Sequence, residues 1–438
     1  MTVNTYGRRL ITAAASIATV ASLALAGTTS ARADDDAPPS PGPLLGTIAP
    51  SAPADGDLTP AEPLDASSSC TAVAPDRENG DATTECVEMT PAAALAGAPA
   101  IADRATPSGA TTCVAKPGYF QHTRFNSCLT GGRITYTLRD NKGEAVGTGI
   151  IVVGDSASLS QTSTTWRETE TVSVAEVTGR LKSLNIAFDV SCDGGCKATG
   201  PSPWAGARTL TAGGTASGSV TFSTPVGKGR DTLVTVGHHL YVTSTGAIPT
   251  QPSTGWSSPD KVRCDDAVGK FPGCVYPDRR ADLDLSLSRY GAAAATYAWA
   301  EKNMSDHWGS SGNPLQRLAD LAGGESHRAS TCGAKSTAPF VPKPASVVPD
   351  DSCDEYPFAA TVQGGRNGGL CAEVVPLREN GVWKFYEADP KRPVTHDEPC
   401  VRAHVPLQVN SAAGGAVGAF PAASRVLEGE KYTVTITA

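Results

Sequence analysis

The chain has 438 residues, 40% of them hydrophobic and 18% charged, with 45 glycines, 33 prolines and a formal charge of −8. That length suits two ordinary domains, and the Gly and Pro content excludes a long helical bundle or coiled coil. The acidic balance excludes nucleic-acid binding through a broad basic surface, though not an enzyme that meets phosphate through a metal ion.

Residues 1–33 carry Arg8 and Arg9, an apolar run from Ile11 to Ala26, and Ala31-Arg32-Ala33, the small-x-small pattern of a signal-peptidase site. Cleavage before Asp34 would remove three arginines and no acid, taking the charge from −8 to −11. The Arg pair reads as an ordinary secretory n-region in preference to a twin-arginine signal, so the mature protein is expected to be secreted and extracellular. Beyond this segment no apolar run reaches the roughly 20 residues of a membrane-spanning helix, and no stable membrane insertion is expected.

Twelve cysteines in an exported chain are expected to form disulfides. Cys332, Cys353, Cys371 and Cys400 cluster toward the C-terminus, and if they pair among themselves all three connectivities stay open. Cys192-Asp-Gly-Gly-Cys196 has a spacing that zinc could use, but no second close pair accompanies it.

Residues 34–112 are rich in Ala, Pro, Ser, Thr and acid and read as a linker or pro-segment. Residues 113–270 read as an all-β, sandwich-like accessory domain. Ile134, Tyr136 and Leu138 alternate, as do Val172 and Val174, Ile186, Phe188 and Val190, and Val220 and Phe222, with turn residues between the runs. Gly154-Asp155-Ser156 with His238-His239 tempts a serine-hydrolase reading. The chain order is wrong for it, the oxyanion-hole glycines are missing, and a strand end with two partly buried histidines is the plainer account.

From about residue 275 the pattern turns to α+β. Leu283, Leu285 and Leu287 alternate as a strand, and Arg289 to Lys302, Ala-rich and without proline, predicts a helix. Pro314 to Ala322, followed by Gly323-Gly324, predicts a second, short helix. Tyr432, Val434 and Ile436 predict a closing strand.

The sharpest chemical feature is Cys353-Asp354-Glu355-Tyr356-Pro357-Phe358-Ala359 followed by Gln363-Gly364-Gly365. Downstream, Asn410 opens the small-residue segment Ser411-Ala412-Ala413-Gly414-Gly415-Ala416-Val417-Gly418, where a backbone can approach a ligand closely. Together these motifs resemble the NucA/NucB deoxyribonuclease family, which shares an Asp-Glu-aromatic-Pro motif, a following Gly pair and an Asn-x-x-Ala-Gly segment ending in Val-Gly. The resemblance covers about residues 275–438.

The resemblance implies a small ββα-metal-type nuclease domain: a secreted, metal-dependent, non-specific endodeoxyribonuclease that uses Mg²⁺ or Mn²⁺ and takes DNA as substrate. In that mechanism a carboxylate base activates water for in-line attack while a divalent cation stabilises the transition state. Residue by residue, it makes Asp354 the general base, Glu355 its partner or a metal-linked carboxylate, and Asn410 a metal ligand. Arg317 and Arg328 become candidate phosphate clamps, and Gly364 and Gly365 the close-approach pair at the substrate.

This chain departs from the family in having Gln363 where a Glu commonly precedes the Gly pair, and in an insertion over residues 366–400 that mixes Trp383, Phe385 and Tyr386 with Lys384, Lys391 and Arg392. That mixture could stack bases, or it could be an aromatic-anchored surface hairpin. Val375-Pro376-Leu377 with Asn380 echoes Val405-Pro406-Leu407 with Asn410, which makes Asn380 the rival of Asn410. His327, His396 and His404 form no recognised metal set.

Residues 301–438 hold 13 basic and 16 acidic side chains, so DNA binding there would be local and metal-assisted. The competing expectation is a secreted binding or adhesion protein with a degenerate nuclease-like end. The sequence neither names nor excludes an inhibitor or immunity protein.

Overall fold

The computed structural model describes residues 42–48, 62–64, 67–73, 80–95, 116–244 and 248–438, and the expected signal segment lies outside them. Pro41–Ala438 is one compact unit. It is mostly β, with 46% strand against 15% helix. No helix among the described residues is long and apolar enough to cross a membrane.

Two antiparallel sheets face each other in the N-terminal body. The larger is built on three long consecutive strands, β1 (Asn126–Asp140), β2 (Ala145–Ser160) and β3 (Ser163–Gly179). The turn between β1 and β2 is set by Asp140, whose Oδ1 accepts from the backbone N–H of Lys142 and of Glu144, both at 2.9 Å. The smaller sheet contains β4 (Leu184–Cys192) and β5 (Val236–Thr243), paired antiparallel. Ile134, Tyr136 and Leu138 are fully buried at every second position of β1 and share a core with Leu184, Ile186 and Phe188 of β4, so side chains from both sheets fill the space between them.

The span read as a linker, residues 34–112, differs from that expectation wherever it is described. Leu44–Ile48, Ser68–Ala72 and Ala82–Met89 are sheet strands. Val87 and Met89 are fully buried there, and the Cys70–Cys86 disulfide ties two of the strands together. A few apolar residues spaced by two were enough, because the neighbouring strands supplied the rest of the core.

The C-terminal part comprises β6 (Ala281–Ser286), α1 (Leu287–Asn303), α2 (Leu321–Thr331), β7 (Asp351–Tyr356), β8 (Ala372–Glu379), β9 (Val382–Glu387), β10 (Val401–Pro406), α3 (Leu407–Ala423) and β11 (Lys431–Thr437). A five-stranded sheet runs in the order Leu44–Ile48, β9, β8, β10, β7, which leaves β7 at an edge. Separately, β6 pairs in parallel with β11, which also pairs with Leu315–Gln316. Helix α1 lays Ala293, Ala294, Tyr297 and Trp299 onto the sheet's apolar face, against Val374, Phe385, Ala403 and Val405. Trp299 stacks on Phe385 at 5.3 Å, and truncating either fully buried ring would cost about 3–5 kcal/mol.

Two expectations are corrected. The short helix does not run from Pro314 to Ala322. Leu315–Gln316 is a strand, and α2 begins after Asp320, whose carboxylate caps the N–H groups of Ala322 at 3.1 Å and Gly323 at 3.0 Å. An N-cap carboxylate outweighed the double glycine, which falls inside the first turn. The insertion over residues 366–400 is no surface addition either, since β8 and β9 lie within the sheet and Phe385 is fully buried. Cys192–Cys196 is a disulfide, as are Cys264–Cys274, Cys332–Cys353 and Cys371–Cys400.

Buried charges join the body to the C-terminal part. Arg124 and Arg263 of the body reach the two oxygens of Glu430 at 2.7 Å and 2.8 Å. In the other direction Arg425 is buried against Asp265, its Nε donating to Oδ2 at 3.0 Å. Such pairs fix orientation, because removing one partner strands a charge away from water.

Candidate active site

The Asp-Glu motif lies on edge strand β7, which pairs antiparallel with β10 in the register Asp354 opposite Ala403 and Glu355 opposite Arg402. The chain passes from β10 directly into α3, so β7, β10 and α3 form a strand–strand–helix arrangement. Successive residues of a strand point to opposite faces. Asp354 therefore faces the helices and Glu355 faces away from them.

On the helix side, Asp354 is 5% exposed. Tyr297 of α1 donates its hydroxyl to Asp354 Oδ2 at 2.9 Å and reaches Oδ1 at 3.2 Å. Tyr356 and Phe358 pack on the Tyr297 ring with centroids at 5.4 Å and 4.9 Å, walling the carboxyl with aromatic surface. Burial, then the neighbouring Glu355 charge, push the Asp354 carboxyl up to about 8, and the Tyr297 hydroxyl opposes that shift.

Asn410, in the first turns of α3, bonds back to the same strand: its Nδ2 donates to the Cys353 carbonyl at 2.8 Å and to Ser352 Oγ at 3.0 Å. Both bonds use the amide nitrogen, so Oδ1 remains available to a ligand. The helix beyond is bare, since Gly414, Gly415 and Gly418 each have open space where a side chain would project. Asn380, the rival, occupies the exposed Asn-Gly turn of the β8–β9 hairpin with φ +51°, a role that its residue type fully explains.

On the opposite face Glu355 is half-buried, with Cys332 Sγ 3.3 Å from its Oε2. Burial pushes its carboxyl up to about 7, against the pull of Arg328 and the Ala359 backbone. Arg402, fully buried and opposite Glu355 in register, bonds to Glu373 and donates to the Ala338 carbonyl at 2.7 Å. His404 bridges Asp351 Oδ2 at 2.6 Å and Glu373 Oε1 at 3.1 Å. Phe340 covers the His404 ring at 4.5 Å. His404 thus belongs to a buried ion-pair network, in which its partners hold Glu373 down at about 2 despite burial. Arg402 and Glu373 carry no motif signature and escaped the sequence reading. Tyr297 escaped it too, as one aromatic in an Ala-rich helix.

The remaining candidates are dispersed. Arg317 is half-buried and donates to the Val426 carbonyl, whereas Arg328 is exposed and acts on Glu355 through its charge. A Cβ on Gly364 would meet the Phe358 carbonyl oxygen at 2.3 Å, and one on Gly365, at φ +74°, would meet the His327 ring at 2.3 Å. The structure therefore fills both glycine positions with protein atoms. His327 Nδ1 pairs with the Ala359 carbonyl at 2.9 Å, and His396 packs on Trp299. Gln363 Oε1 accepts from the Gln316 backbone at 3.0 Å. Glu355 and Asn410, expected to share a metal, approach β7 from different faces.

Asp354, Ser352 and Asn410 offer carboxylate, hydroxyl and amide oxygens, the hard donors that Mg²⁺ and Mn²⁺ accept while keeping several waters. Of these, the Asn410 oxygen is the one left open, since Ser352 Oγ bonds to the Val405 carbonyl and Asp354 accepts from Tyr297.

The family Deoxyribonuclease NucA/NucB matches residues 312–382 of this chain, a C-terminal segment that includes Arg317, Arg328, Asp354, Glu355, Gly364 and Gly365 and ends before Asn410. No curated protein matches the chain.

Proposed function

We propose that the C-terminal part of this chain is a secreted, metal-dependent endodeoxyribonuclease, with Asp354 as the base and Asn410 as the ligand of a divalent cation. One observation carries the reading beyond the matched segment: Asn410, outside it, is hydrogen-bonded to the strand that presents Asp354. When bound, Mg²⁺ or Mn²⁺ would supply charge stabilisation at the scissile phosphate, held by Asn410 through its side-chain oxygen.

Once ionised, Asp354 takes up the proton of the attacking water. Tyr297 holds the carboxylate in place and leaves it fewer orientations, and the aromatic wall keeps bulk water from it. The bare face of α3 lets a phosphodiester backbone come close. Arg317 acts as a structural residue, and Arg328, exposed beside Glu355 on the other face of β7, has no role at the phosphate. Paired cysteines and the N-terminal Arg-apolar-Ala pattern support an extracellular setting.

The burial of Asp354 favours a second reading, a nuclease-like end that serves a binding protein. Incubating the oxidised mature chain with plasmid DNA and with RNA, with Mg²⁺, Mn²⁺ or EDTA, separates the two. Metal-dependent DNA cleavage supports the nuclease, and a folded chain inert under every condition supports the binding protein.

A further inference from the structure

The most unusual chemistry outside this site lies inside the β body. Asp155 of β2, Glu170 of β3 and His238 of β5 are each 0% exposed, and one ligand atom from each lies within 4.8 Å of the others. Asp155 and Glu170 stand directly opposite each other in the β2–β3 register, a placement in which two like charges repel. His238 reaches them from the facing sheet, so the three meet between the layers. Glu168, 4% exposed, joins them with Oε1 3.0 Å from His238 Nε2.

Hydrogen bonding accounts for little of the cluster, although the Trp256 indole lies near Asp155 and His238 near Glu170. Both oxygens of Asp155, both oxygens of Glu170 and Nδ1 of His238 are buried without a hydrogen-bond partner. The closest opposite charge at Glu170 is His238 Nε2 at 3.4 Å. Buried polar atoms are satisfied in nearly all folded proteins, and an ionised carboxylate without a partner is among the costliest groups to bury. Two buried carboxylates with unpaired oxygens and a histidine, each offering a ligand atom within 4.8 Å of the others between two sheets, call for a ligand that accepts electron pairs from all three residues.

We propose that Asp155, Glu170 and His238, with Glu168 beside them, hold a single divalent cation of the zinc class that clasps the two sheets of the β body together. The imidazole selects the class, because Mg²⁺ and Ca²⁺ take oxygen donors and Mg²⁺ keeps its waters, whereas Zn²⁺ takes histidine and carboxylates in a closed four-ligand shell. Zinc bonds of about 2.1 Å place tetrahedral donors roughly 3.4 Å apart, so the side chains need only a small inward turn. With the cation bound, three ionised carboxylates and a neutral imidazole leave one net negative charge. Asp155 and His238, which suggest a hydrolase in the sequence, are accounted for as structural ligands.

The test uses the full mature chain, folded and oxidised, dialysed without chelator and assayed for bound metal by mass spectrometry. About one zinc per chain is expected, retained in Asn410→Ala and Asp354→Ala and bound about a hundredfold more weakly or not at all in Asp155→Asn and His238→Gln. If those variants fail to fold, wild-type protein stripped with EDTA and titrated with ZnCl₂ gives the answer through its melting temperature, which should rise and saturate at one equivalent. A folded wild type that carries no zinc, and whose melting temperature excess zinc does not move, overturns the proposal. Zinc lost equally in Asn410→Ala would place the ion in the nuclease site and overturn it as well. Nuclease activity is not the readout, so failure here leaves the reading of Asp354 untouched.

Discussion

Tyr297 donates its hydroxyl to Asp354 at 2.9 Å, across the gap between helix α1 and edge strand β7. The bond joins the Ala-rich helix to the acidic motif that stands out in the sequence. It also gives a buried carboxyl its side-chain partner on the helix side of the sheet. Tyr297→Phe keeps the ring packing against Tyr356 and Phe358 and removes the donor. The account predicts about a tenfold loss of DNA cleavage, the size of one hydrogen bond's contribution, with an unchanged near-ultraviolet circular dichroism spectrum. A variant as active as wild type would mean that the hydroxyl does not position the base.

Asn410 couples α3 to β7 through its amide nitrogen and keeps its oxygen available. Asn410→Ala removes both functions, so the Mn²⁺ concentration that half-saturates cleavage should rise about tenfold or more. Asn410→Asp restores oxygen donors without the amide and should recover part of the metal affinity. Equal Mn²⁺ dependence in all three proteins would remove Asn410 from the metal site.

How much of this was legible depends on which physical signal each residue carries. Ile134, Tyr136 and Leu138 announce a half-buried strand by their period of two, and the structure buries all three. The same rule, applied to the strand Asp351–Tyr356, puts Asp354 and Glu355 on opposite faces. Gly323-Gly324 reads as a helix terminator, yet Asp320 caps α2 and places both glycines in its first turn. Tyr297, Arg402 and Glu373 were not legible, since their partners lie 19 to 71 positions away and only the fold brings them together. The disulfide pairing was open for the same reason.

Glu373 lies between Arg402, Arg392 and His404. Glu373→Ala strands the fully buried Arg402, and a loss of about 3–5 kcal/mol is expected in urea unfolding. Glu379→Ala on the exposed hairpin should lie within about 0.5 kcal/mol of wild type. Similar values for the two would show that the buried network contributes no more than a surface pair.

Two buried groups set an acid dependence of stability. His122 is held at about 4, below its ordinary 6.5, because burial disfavours the imidazolium. The unfolded chain therefore binds the extra proton first, and stability falls as pH drops from 6.5 toward 4. Glu373, lowered from 4.5 to about 2, contributes stability above 4.5 that is lost as pH falls toward 2. Urea midpoints of wild type and His122→Gln should differ in slope between pH 6.5 and 4 and run parallel above pH 7. Parallel curves across the whole range would contradict this assignment.

The central claim is that Asp354 is the base of a metal-dependent nuclease, and the most direct measurement is plasmid nicking by wild type and Asp354→Ala in Mn²⁺, each shown to be folded by its thermal transition. The account predicts nicking by wild type that EDTA abolishes, and a loss of at least about a hundredfold in the variant, the usual size of a general-base contribution. Nicking by Asp354→Ala at the wild-type rate would contradict it.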